Sequence, residues 1–303
     1  MKKSPTNTAA SVLARLKNLS ERDHLDFNFL LLRYVQERFL ARLAESSYVN
    51  KFVLKGGFLL LAYNIQKARP TKDVDFLGIN VPKDPKELEH IVQEIILADI
   101  DDGVQFQAES IRSEIIKEDA DYEGVRLKLT ANIGSARNII QLDFGFGDIV
   151  TPHPLQMDYP TLFGRESVRI LAYSKETIVA EKFEAIVRLT TFNSRMKDFY
   201  DISFLASEFE FDSSGLRLAI RNTFNKRQTD LSTAGTLLRA DLATEFGFDR
   251  KWNAFRKRSQ LTTTQDFNNV QDLLRSFLLP LVEAELSGTD SKYSWNRKSM
   301  TWE

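Results

Sequence analysis

The stretch that most constrains this chain covers residues 51–78 and reads KFVLKGGFLLLAYNIQKARPTKDVDFLG. A short apolar strand is predicted first, then the glycine pair Gly56 and Gly57, then one or two helical turns. A basic loop leads to a second predicted strand with Asp73 and Asp75. Alternate residues of a strand lie on one face, so these carboxylates are neighbours that repel each other unless cations hold them. Because glycines before a helix let backbone N–H groups approach an anion, the stretch predicts a site for a divalent cation and a polyphosphate.

Five blocks of the sequence, in order, resemble the AbiEii/AbiGii toxin nucleotidyltransferase family. They are LKGGFLL, RPTKDVDFLG, QLDFGFGD, AEKFEAI and SRMKDFYDI, and the similarity extends from about residue 7 to about residue 282. An isolated Asp-x-Asp pair is a weak signal, whereas five blocks in the right order are a strong one. The resemblance implies a polymerase-β-like nucleotidyltransferase fold and the toxin half of a bacterial toxin–antitoxin system.

The predicted fold is α/β (α+β), with a mixed sheet flanked by helices and a helical C-terminal domain after it. Strands are predicted at 104–106, 125–131 and 138–146 from alternation or β-rich composition. Residues 151–160 are predicted to form a connector, because their composition shifts to Pro, His, Met and Asp. The helical patterns lie at 7–19, about 21–45, 86–97, 175–191, 195–207, 213–227, 249–258 and 266–285.

These patterns divide the chain into three predicted parts. Residues 1–172 form the N-terminal nucleotidyltransferase domain, residues 173–286 the C-terminal helical domain, and residues 287–303 a polar tail. For the tail, the sequence leaves two alternatives open, an ordered strap or a disordered end.

The formal net charge of the 303 residues is −1. A protein that binds nucleic acid mainly through bulk charge usually has a basic excess. A nucleic-acid partner must therefore meet a local basic patch, and a neutral-surface enzyme acting on a small molecule stays open. The absence of cysteine excludes disulfides and thiolate metal sites and suits the cytoplasm, where we expect the protein to work. No apolar stretch is long enough to span a membrane.

Asp143 lies in an otherwise apolar predicted strand, in the run IIQLDFGFGD. A carboxylate there is costly unless it is paired or bound to a metal. The family resemblance implies that Asp143 completes the metal site or accepts the proton of an attacking hydroxyl. It also implies that the hydroxyl of Thr71 holds a phosphate oxygen or a metal-bound water. Without the resemblance, a threonine after proline is an ordinary turn residue.

Lys182 falls in or beside the apolar stripe of the helix predicted at 175–191. Such a lysine usually lies at the rim with its stem buried, but it can instead point into a cleft and hold a triphosphate as a point charge. The family has a lysine at this place, which favours the second interpretation. On the next predicted helix, the resemblance assigns Asp198 to positioning Lys182 or the nucleotide, and a purely structural role stays open for Asp201.

A basic segment close to residue 250 contains two aromatic residues and no acid among its cations. Such a segment can contact a nucleic-acid backbone and stack a base. The commoner interpretation is a solvated helix whose aromatic residues belong to the core. The residues concerned are Arg250, Lys251, Trp252, Phe255, Arg256, Lys257 and Arg258.

The predicted function is a Mg2+-dependent (or Mn2+-dependent) transfer of a nucleoside monophosphate from an NTP to an acceptor hydroxyl, with release of pyrophosphate. The resemblance implies that the acceptor is the 3′ end of tRNA, that translation is blocked, and that a cognate antitoxin exists. Two alternatives stay open: an enzyme of the same fold that modifies a small molecule or a protein, and a non-catalytic module that binds nucleotide or antitoxin.

The predicted site residues fall into three overlapping groups. The metal ligands are Asp73, Asp75 and Asp143. The nucleotide-binding residues are Gly56, Gly57, Thr71 and Lys182. The catalytic residues are Asp73, Asp75, Asp143, Lys182 and Asp198.

Overall fold

The computed structural model describes most of the chain. The described residues are 8–64, 67–119, 122–164, 167–189, 195–237, 247–259, 261, 265–289 and 292–303. The chain splits into two compact units. Unit 1 consists of Met1–Ala62, Pro70–Gly147 and Leu155–Ala172, and unit 2 consists of Tyr63–Arg69, Asp148–Pro154 and Tyr173–Glu303.

Unit 1 is built on one sheet with helices around it. Its helices are α1 (Thr8–Asp23), α2 (Phe27–Glu45), α3 (Gly56–Tyr63) and α4 (Pro85–Ile96). Its strands are β1 (Phe52–Lys55), β2 (Asp73–Gly78), β3 (Val104–Asp119), β4 (Tyr122–Ile133), β5 (Ala136–Phe146), β6 (Leu155–Pro160) and β7 (Ser167–Ala172).

The sheet of unit 1 has the strand order β3-β4-β5-β2-β1-β7-β6. Strand β2 is antiparallel to β1 and parallel to β5, and β1 is parallel to β7, so the sheet is mixed. One face of the central strands is apolar and packs against α2, as expected for strands whose alternate residues are hydrophobic. The predicted α/β fold, a mixed sheet flanked by helices, is confirmed.

Helix α2 lies at the core of unit 1, where nearly all residues from Leu30 to Leu43 are buried. It begins after Asp26, whose carboxylate accepts a hydrogen bond from the Phe29 N–H and so caps the helix. Buried arginines of this helix are paired with carboxylates: Arg33 lies 2.8 Å from Glu37 and Arg42 lies 2.6 Å from Asp102. Pairing offsets part of the desolvation penalty that a single buried charge would impose.

Two strands of unit 1 were not predicted. Residues 151–160 were assigned to a connector, which is wrong for their second half, because β6 occupies Leu155–Pro160. This edge strand gives no clear alternation, since only Tyr159 among its six residues is buried. Strand β7 lies between β6 and β1 in the sheet and pairs with both of them.

Unit 2 is mainly helical. Its helices are α5 (Lys175–Leu189), α6 (Met196–Glu208), α7 (Ser213–Lys226), α8 (Ala234–Leu237), α9 (Phe248–Arg258) and α10 (Phe267–Ser287), with a 3-10 turn at Leu231–Thr233. A small antiparallel sheet contains β8 (Phe211–Asp212), β9 (Ser294–Asn296) and β10 (Thr301–Trp302). Residues 7 and 190–191 of the predicted helices lie outside the described residues.

The described residues of the predicted tail are 287–289 and 292–303, and they belong to unit 2. Trp295 is fully buried, and its indole N–H donates to the Ala206 carbonyl at 2.8 Å. The Trp302 indole donates to the Phe277 carbonyl at 2.9 Å and stacks on the Phe277 ring. The tail therefore closes the apolar edge of α6 and α10, as an ordered strap.

None of the helices in the described ranges has the combination of length and apolarity needed to cross a membrane.

Candidate active site

The pairing of β2 with β5 brings three carboxylates together on one face of the sheet. These strands are parallel, and Asp75 lies directly opposite Asp143 while Asp73 lies opposite Gln141. Residues paired in this way point to the same side of a sheet. One carboxylate oxygen from each of Asp73, Asp75 and Asp143 lies within 4.8 Å of the other two. The structure thus brings together the three predicted metal ligands.

The donor chemistry of this cluster fits a hard divalent cation. Carboxylate oxygens are the ligands that Mg2+ and Mn2+ prefer in proteins, and Mg2+ usually keeps several waters in addition. Asp73 and Asp75 are partly exposed, so water and substrate can reach them, whereas Asp143 is buried. Three negative charges at this spacing repel one another strongly unless positive charge is placed among them.

Gly56 has a conformation and a position that only glycine fits. Its φ angle is +68°, in the left-handed region, and a Cβ added to it would lie 1.9 Å from the Asp75 Oδ2 atom. The backbone at the start of α3 therefore lies directly against the Asp75 carboxylate. Gly57 follows as a buried residue in the first turn of the same helix. The predicted glycine pair is thus placed beside the acidic cluster.

Thr71 is buried and its hydroxyl donates a hydrogen bond to the Asp73 Oδ1 atom. The hydroxyl therefore fixes the orientation of one member of the acidic cluster. This contact with Asp73 differs from the role that the resemblance implied for the hydroxyl, which was to hold a phosphate oxygen or a metal-bound water.

Two residues of the site were missed by the sequence analysis, and the first is Arg126 on β4. Its Nε atom donates to Asp143 Oδ1 at 2.9 Å and its Nη2 atom to Oδ2 at 2.8 Å. The Gln141 amide also donates to Asp143 Oδ2, at 3.1 Å. Hydrogen bonding to Asp143 raises the pKa of Arg126, and the charges of Asp143, Glu114 and Asp73 act in the same direction.

The second missed residue is Lys55, the last residue of β1. It lies opposite Asp75 in the β1–β2 pairing, so it faces the same side of the sheet. Its Nζ atom lies 3.3 Å from the position that a Cβ on Gly145 would take. The absence of a side chain at Gly145 makes room for the buried ammonium group. Lys55, Asp75, Asp143 and Arg126 thus form a rung of opposite charges across four adjacent strands.

A separate cluster of charges in unit 2 contains the predicted residues Lys182 and Asp198. The Lys182 Nζ atom lies 3.1 Å from Asp198 Oδ1 and 2.6 Å from Asp201 Oδ2. Asp201 also accepts hydrogen bonds from Arg69, at 3.0 Å from Nε and 3.1 Å from Nη2. The side chain of Lys182 is only 11% exposed and that of Asp201 only 1%. Asp201 is therefore the centre of the cluster, a position that the sequence did not reveal.

The charges in this cluster keep one another ionised. Burial acts to raise the pKa of Asp201, but Arg69 and Lys182 outweigh it and hold the pKa below its ordinary value. Burial acts to lower the pKa of Lys182, but Asp201 and Asp198 outweigh it and raise the pKa. Lys182 is therefore a cation and Asp201 an anion at neutral pH.

The basic segment near residue 250 forms α9, and its aromatic residues belong to the core of unit 2. Trp252 and Phe255 are buried and contact the ring of Tyr200 on α6, with ring centroids 6.2 and 6.0 Å away. Stacking of a base on either ring is excluded by this packing. The exposed residues of α9 are Arg250, Asn253, Ala254, Lys257 and Arg258.

Two solved structures of bacterial proteins are similar to this chain. A solved structure of a proposed nucleotidyltransferase from Helicobacter pylori has a TM-score of 0.51 and 15% identity, and covers 88% of this chain and 100% of that chain. The structure of JHP933 from Helicobacter pylori has a TM-score of 0.51 and 17% identity, with coverage of 88% and 96%. At these identities the likeness shows the fold alone, which is that of nucleotidyltransferases. A search of curated proteins gave no match.

The family model described as "Nucleotidyl transferase AbiEii toxin, Type IV TA system" matches residues 38–275. This range covers well over half of the chain and includes the acidic cluster of unit 1 and the Lys182 cluster of unit 2. The protein therefore belongs to the AbiEii family, the nucleotidyltransferase toxins of type IV toxin–antitoxin systems. The resemblance found in the five sequence blocks is confirmed.

Replacement of Gly56 by alanine tests the close approach to Asp75. We expect a loss of at least about 1–2 kcal/mol in the free energy of unfolding from the left-handed backbone alone, and a further loss from displacement of the Asp75 carboxylate. Urea denaturation followed by circular dichroism measures it. Gly235→Ala is the control, because a Cβ there has no atom within 4 Å and alanine favours a helix. Equal stability of the two variants would contradict the assigned geometry.

Replacement of Asp201 by asparagine tests the cluster of unit 2. Removing one partner of a buried charge pair costs about 3–5 kcal/mol, because the remaining charges stay buried. Glu208→Gln on the same helix removes an ion pair whose lysine, Lys67, is 60% exposed, and should cost less than about 1 kcal/mol. A loss below about 1 kcal/mol for Asp201→Asn as well would show that Asp201 is not the centre of the cluster.

The contribution of Asp201 to the free energy of unfolding should depend on pH. The pKa of Asp201 is lower in the folded protein, so its contribution is present above the unfolded value of about 3.9 and is lost as the pH falls below it. The difference in unfolding free energy between wild type and Asp201→Asn should therefore be constant near neutral pH and shrink below about pH 4.

Proposed function

We propose that this protein is a Mg2+-dependent nucleotidyltransferase that transfers a nucleoside monophosphate from an NTP to the 3′-terminal hydroxyl of a tRNA. The observation that carries the proposal is the cluster of Asp73, Asp75 and Asp143 on adjacent strands, with oxygens within 4.8 Å of one another. Membership of the AbiEii family supports the reaction class. The loss of an intact tRNA end would block translation, which is the expected basis of toxicity.

In the proposed reaction the acceptor oxygen forms a bond to the α-phosphorus of the NTP. The bond from this phosphorus to the bridging oxygen breaks, and pyrophosphate leaves with the electron pair. The proton of the acceptor hydroxyl passes to a carboxylate of the cluster or to solvent. Asp73 and Asp75 are the proposed ligands of Mg2+ or Mn2+, with Asp143 as the third carboxylate of the site. When bound, the cation would polarise the phosphate oxygens and stabilise the charge on the leaving group.

The remaining residues are proposed to bind the triphosphate. Backbone N–H groups at the start of α3, at Gly56 and Gly57, suit an anion because the helix N-terminus carries partial positive charge. The Thr71 hydroxyl holds Asp73 in place. Lys182 is proposed to bind a phosphate oxygen: among the described residues, two of its three ammonium donors bond to Asp198 and Asp201.

The exposed face of α9 supports an RNA acceptor. Arg250, Lys257 and Arg258 lie on this face, and none of them has an ion-pair partner among the described residues. Helix α9 packs against α6, which carries Asp198 and Asp201. Three exposed cations on one helix face can contact successive backbone phosphates. Such a patch meets the requirement that a chain of net charge −1 must bind nucleic acid locally.

A partner protein follows from the family. Type IV toxin–antitoxin systems pair a toxin with a cognate antitoxin, and we propose that this protein has one.

Transfer of label to RNA tests the reaction. The protein is incubated with Mg2+, total bacterial tRNA and each α-labelled NTP in turn. We expect label in tRNA with at least one NTP, and a loss of roughly a thousandfold in Asp75→Asn, because a cation ligand is worth several kcal/mol in the transition state. Asp84→Asn is the control, since Asp84 caps α4 outside the acidic cluster and asparagine caps equally well.

Three outcomes of this assay are informative. Label in protein or small-molecule fractions instead of RNA would replace tRNA by the corresponding acceptor, which the net charge of −1 would suit. No transfer at all, from folded protein that still binds NTP, would favour the non-catalytic module. Equal transfer by wild type and Asp75→Asn would exclude the acidic cluster as the site.

Neutralisation of α9 tests the RNA surface. The triple variant Arg250→Gln, Lys257→Gln, Arg258→Gln should bind tRNA more weakly and reduce the slope of log K against log salt by roughly two to three. Binding of NTP alone should not change. The control variant Lys17→Gln, Lys86→Gln, Arg169→Gln removes the same charge from exposed cations of unit 1. An equal effect of the two variants would show that only net charge matters.

A further inference from the structure

Arg126 binds Asp143, one of the predicted metal ligands, through both oxygens of its carboxylate. Its guanidinium makes two parallel hydrogen bonds to Asp143, at 2.9 and 2.8 Å, which is the strongest geometry available to an arginine and a carboxylate. The pair is well shielded, since the side chain of Asp143 is 7% exposed and that of Arg126 29%. The two residues also lie opposite each other in the β4–β5 pairing, so the backbone holds the contact.

The hydrogen bonds that Asp143 accepts occupy most of the lone-pair positions of its carboxylate. A carboxylate offers about four lone-pair positions. Three are occupied: one by Arg126 Nε, one by Arg126 Nη2, and one by the Gln141 amide at 3.1 Å. Asp143 can therefore give a cation one lone pair at most, whereas Asp73 accepts a hydrogen bond from the hydroxyl of Thr71.

The charges of the site lead to the same conclusion. Lys55 and Arg126, set against the carboxylates of Asp73, Asp75 and Asp143, give these five residues a net charge of −1. One divalent ion changes that charge to +1, and a second would change it to +3. Because Lys55 and Arg126 already offset part of the carboxylate charge, one divalent ion from solution is enough to offset the rest.

We propose that Arg126 is a resident cation of the acidic site, which engages Asp143 so that one divalent ion is held mainly by Asp73 and Asp75. Arg126 is a positioning residue: it acts through Asp143, and it keeps the three carboxylates together before any ion binds. The inference rests on the metal dependence in the proposed function, and it concerns how many ions bind and through which residues.

A double-mutant cycle of Mn2+ binding tests this role. Free Mn2+ is followed by electron paramagnetic resonance during titration of the protein, without NTP or RNA. Wild type should bind one ion. Arg126→Gln removes the arginine partner of Asp143 and should tighten binding roughly fivefold or more, whereas Asp143→Asn leaves Arg126 with only the more distant Glu114, 4.0 Å away, and should weaken it by a similar factor. The double variant should return to within about twofold of wild type.

The control is Lys128→Gln, which removes a cation from the same face of β4, two residues away. Its side chain is 48% exposed and pairs with Glu114 at 3.2 Å rather than with the acidic cluster. Solvent screens such a charge, so Mn2+ affinity should change by less than about twofold. A Lys128→Gln effect as large as that of Arg126→Gln would reduce the role of Arg126 to net charge.

Several results would overturn the inference. If Asp143 is a full metal ligand, Asp143→Asn weakens Mn2+ binding equally with and without Arg126, and the double variant stays weak. Two equivalent ions bound to wild type would also overturn it. If Arg126→Gln does not fold, Arg126→Lys keeps the charge without the paired hydrogen bonds, and its Mn2+ affinity should lie within about twofold of wild type. A tenfold change in Arg126→Lys would contradict a role based on charge.

The cycle is separable from the transfer reaction. Failure of wild type to bind any Mn2+ would remove the metal dependence from the proposed function itself. Normal Mn2+ binding with no response to Arg126→Gln would remove only the role of Arg126, and label transfer to tRNA would still decide the reaction.

Discussion

The pairing of β2 with β5 is the contact on which the site of unit 1 depends. It sets Asp75 beside Asp143 and places Asp73 on the same face, with oxygens within 4.8 Å. At this spacing two carboxylates repel by about 3 kcal/mol at an effective dielectric constant near 20. A slip of one residue would turn Asp143 into the apolar face. The strand pairing therefore holds together carboxylates that repel one another. Lys55 and Arg126 on the flanking strands offset this repulsion.

The sequence was sufficient for those parts of the site that are local in the chain. Spacing alone placed Asp73 and Asp75 on one face, and a glycine pair after a strand predicted a close backbone approach. The partners of these residues were not predictable, because they depend on which strands pair. Arg126 meets Asp143 only through the β4–β5 register, and Arg69 meets Asp201 across 132 positions. A single sequence contains no record of such pairings.

The fold shows the same division between local and distant information. Helices with a clear apolar stripe were predicted to within a few residues, and the strands β4 and β5 followed from alternation or apolar composition. Edge strand β6 was missed because it buries only Tyr159. The polar end of the chain gave no pattern of its own, since packing on α6 and α10, rather than any repeat, buries Trp295 fully and Trp302 partly. Elements stabilised by distant neighbours were the ones that sequence left undecided.

The contact of Gly56 with Asp75 has a consequence for ion binding. An ordinary surface carboxylate samples several rotamers, and an ion that binds it must restrict them. Here the backbone of the β1–α3 turn occupies the space beside the Asp75 carboxylate, where a Cβ would lie 1.9 Å from its oxygen, and Thr71 holds Asp73 by a hydrogen bond. The carboxylates of the proposed metal site are thus ordered during folding. A cation that bound such a preorganised site would lose less entropy, and the backbone would then set how well cations of different size fit.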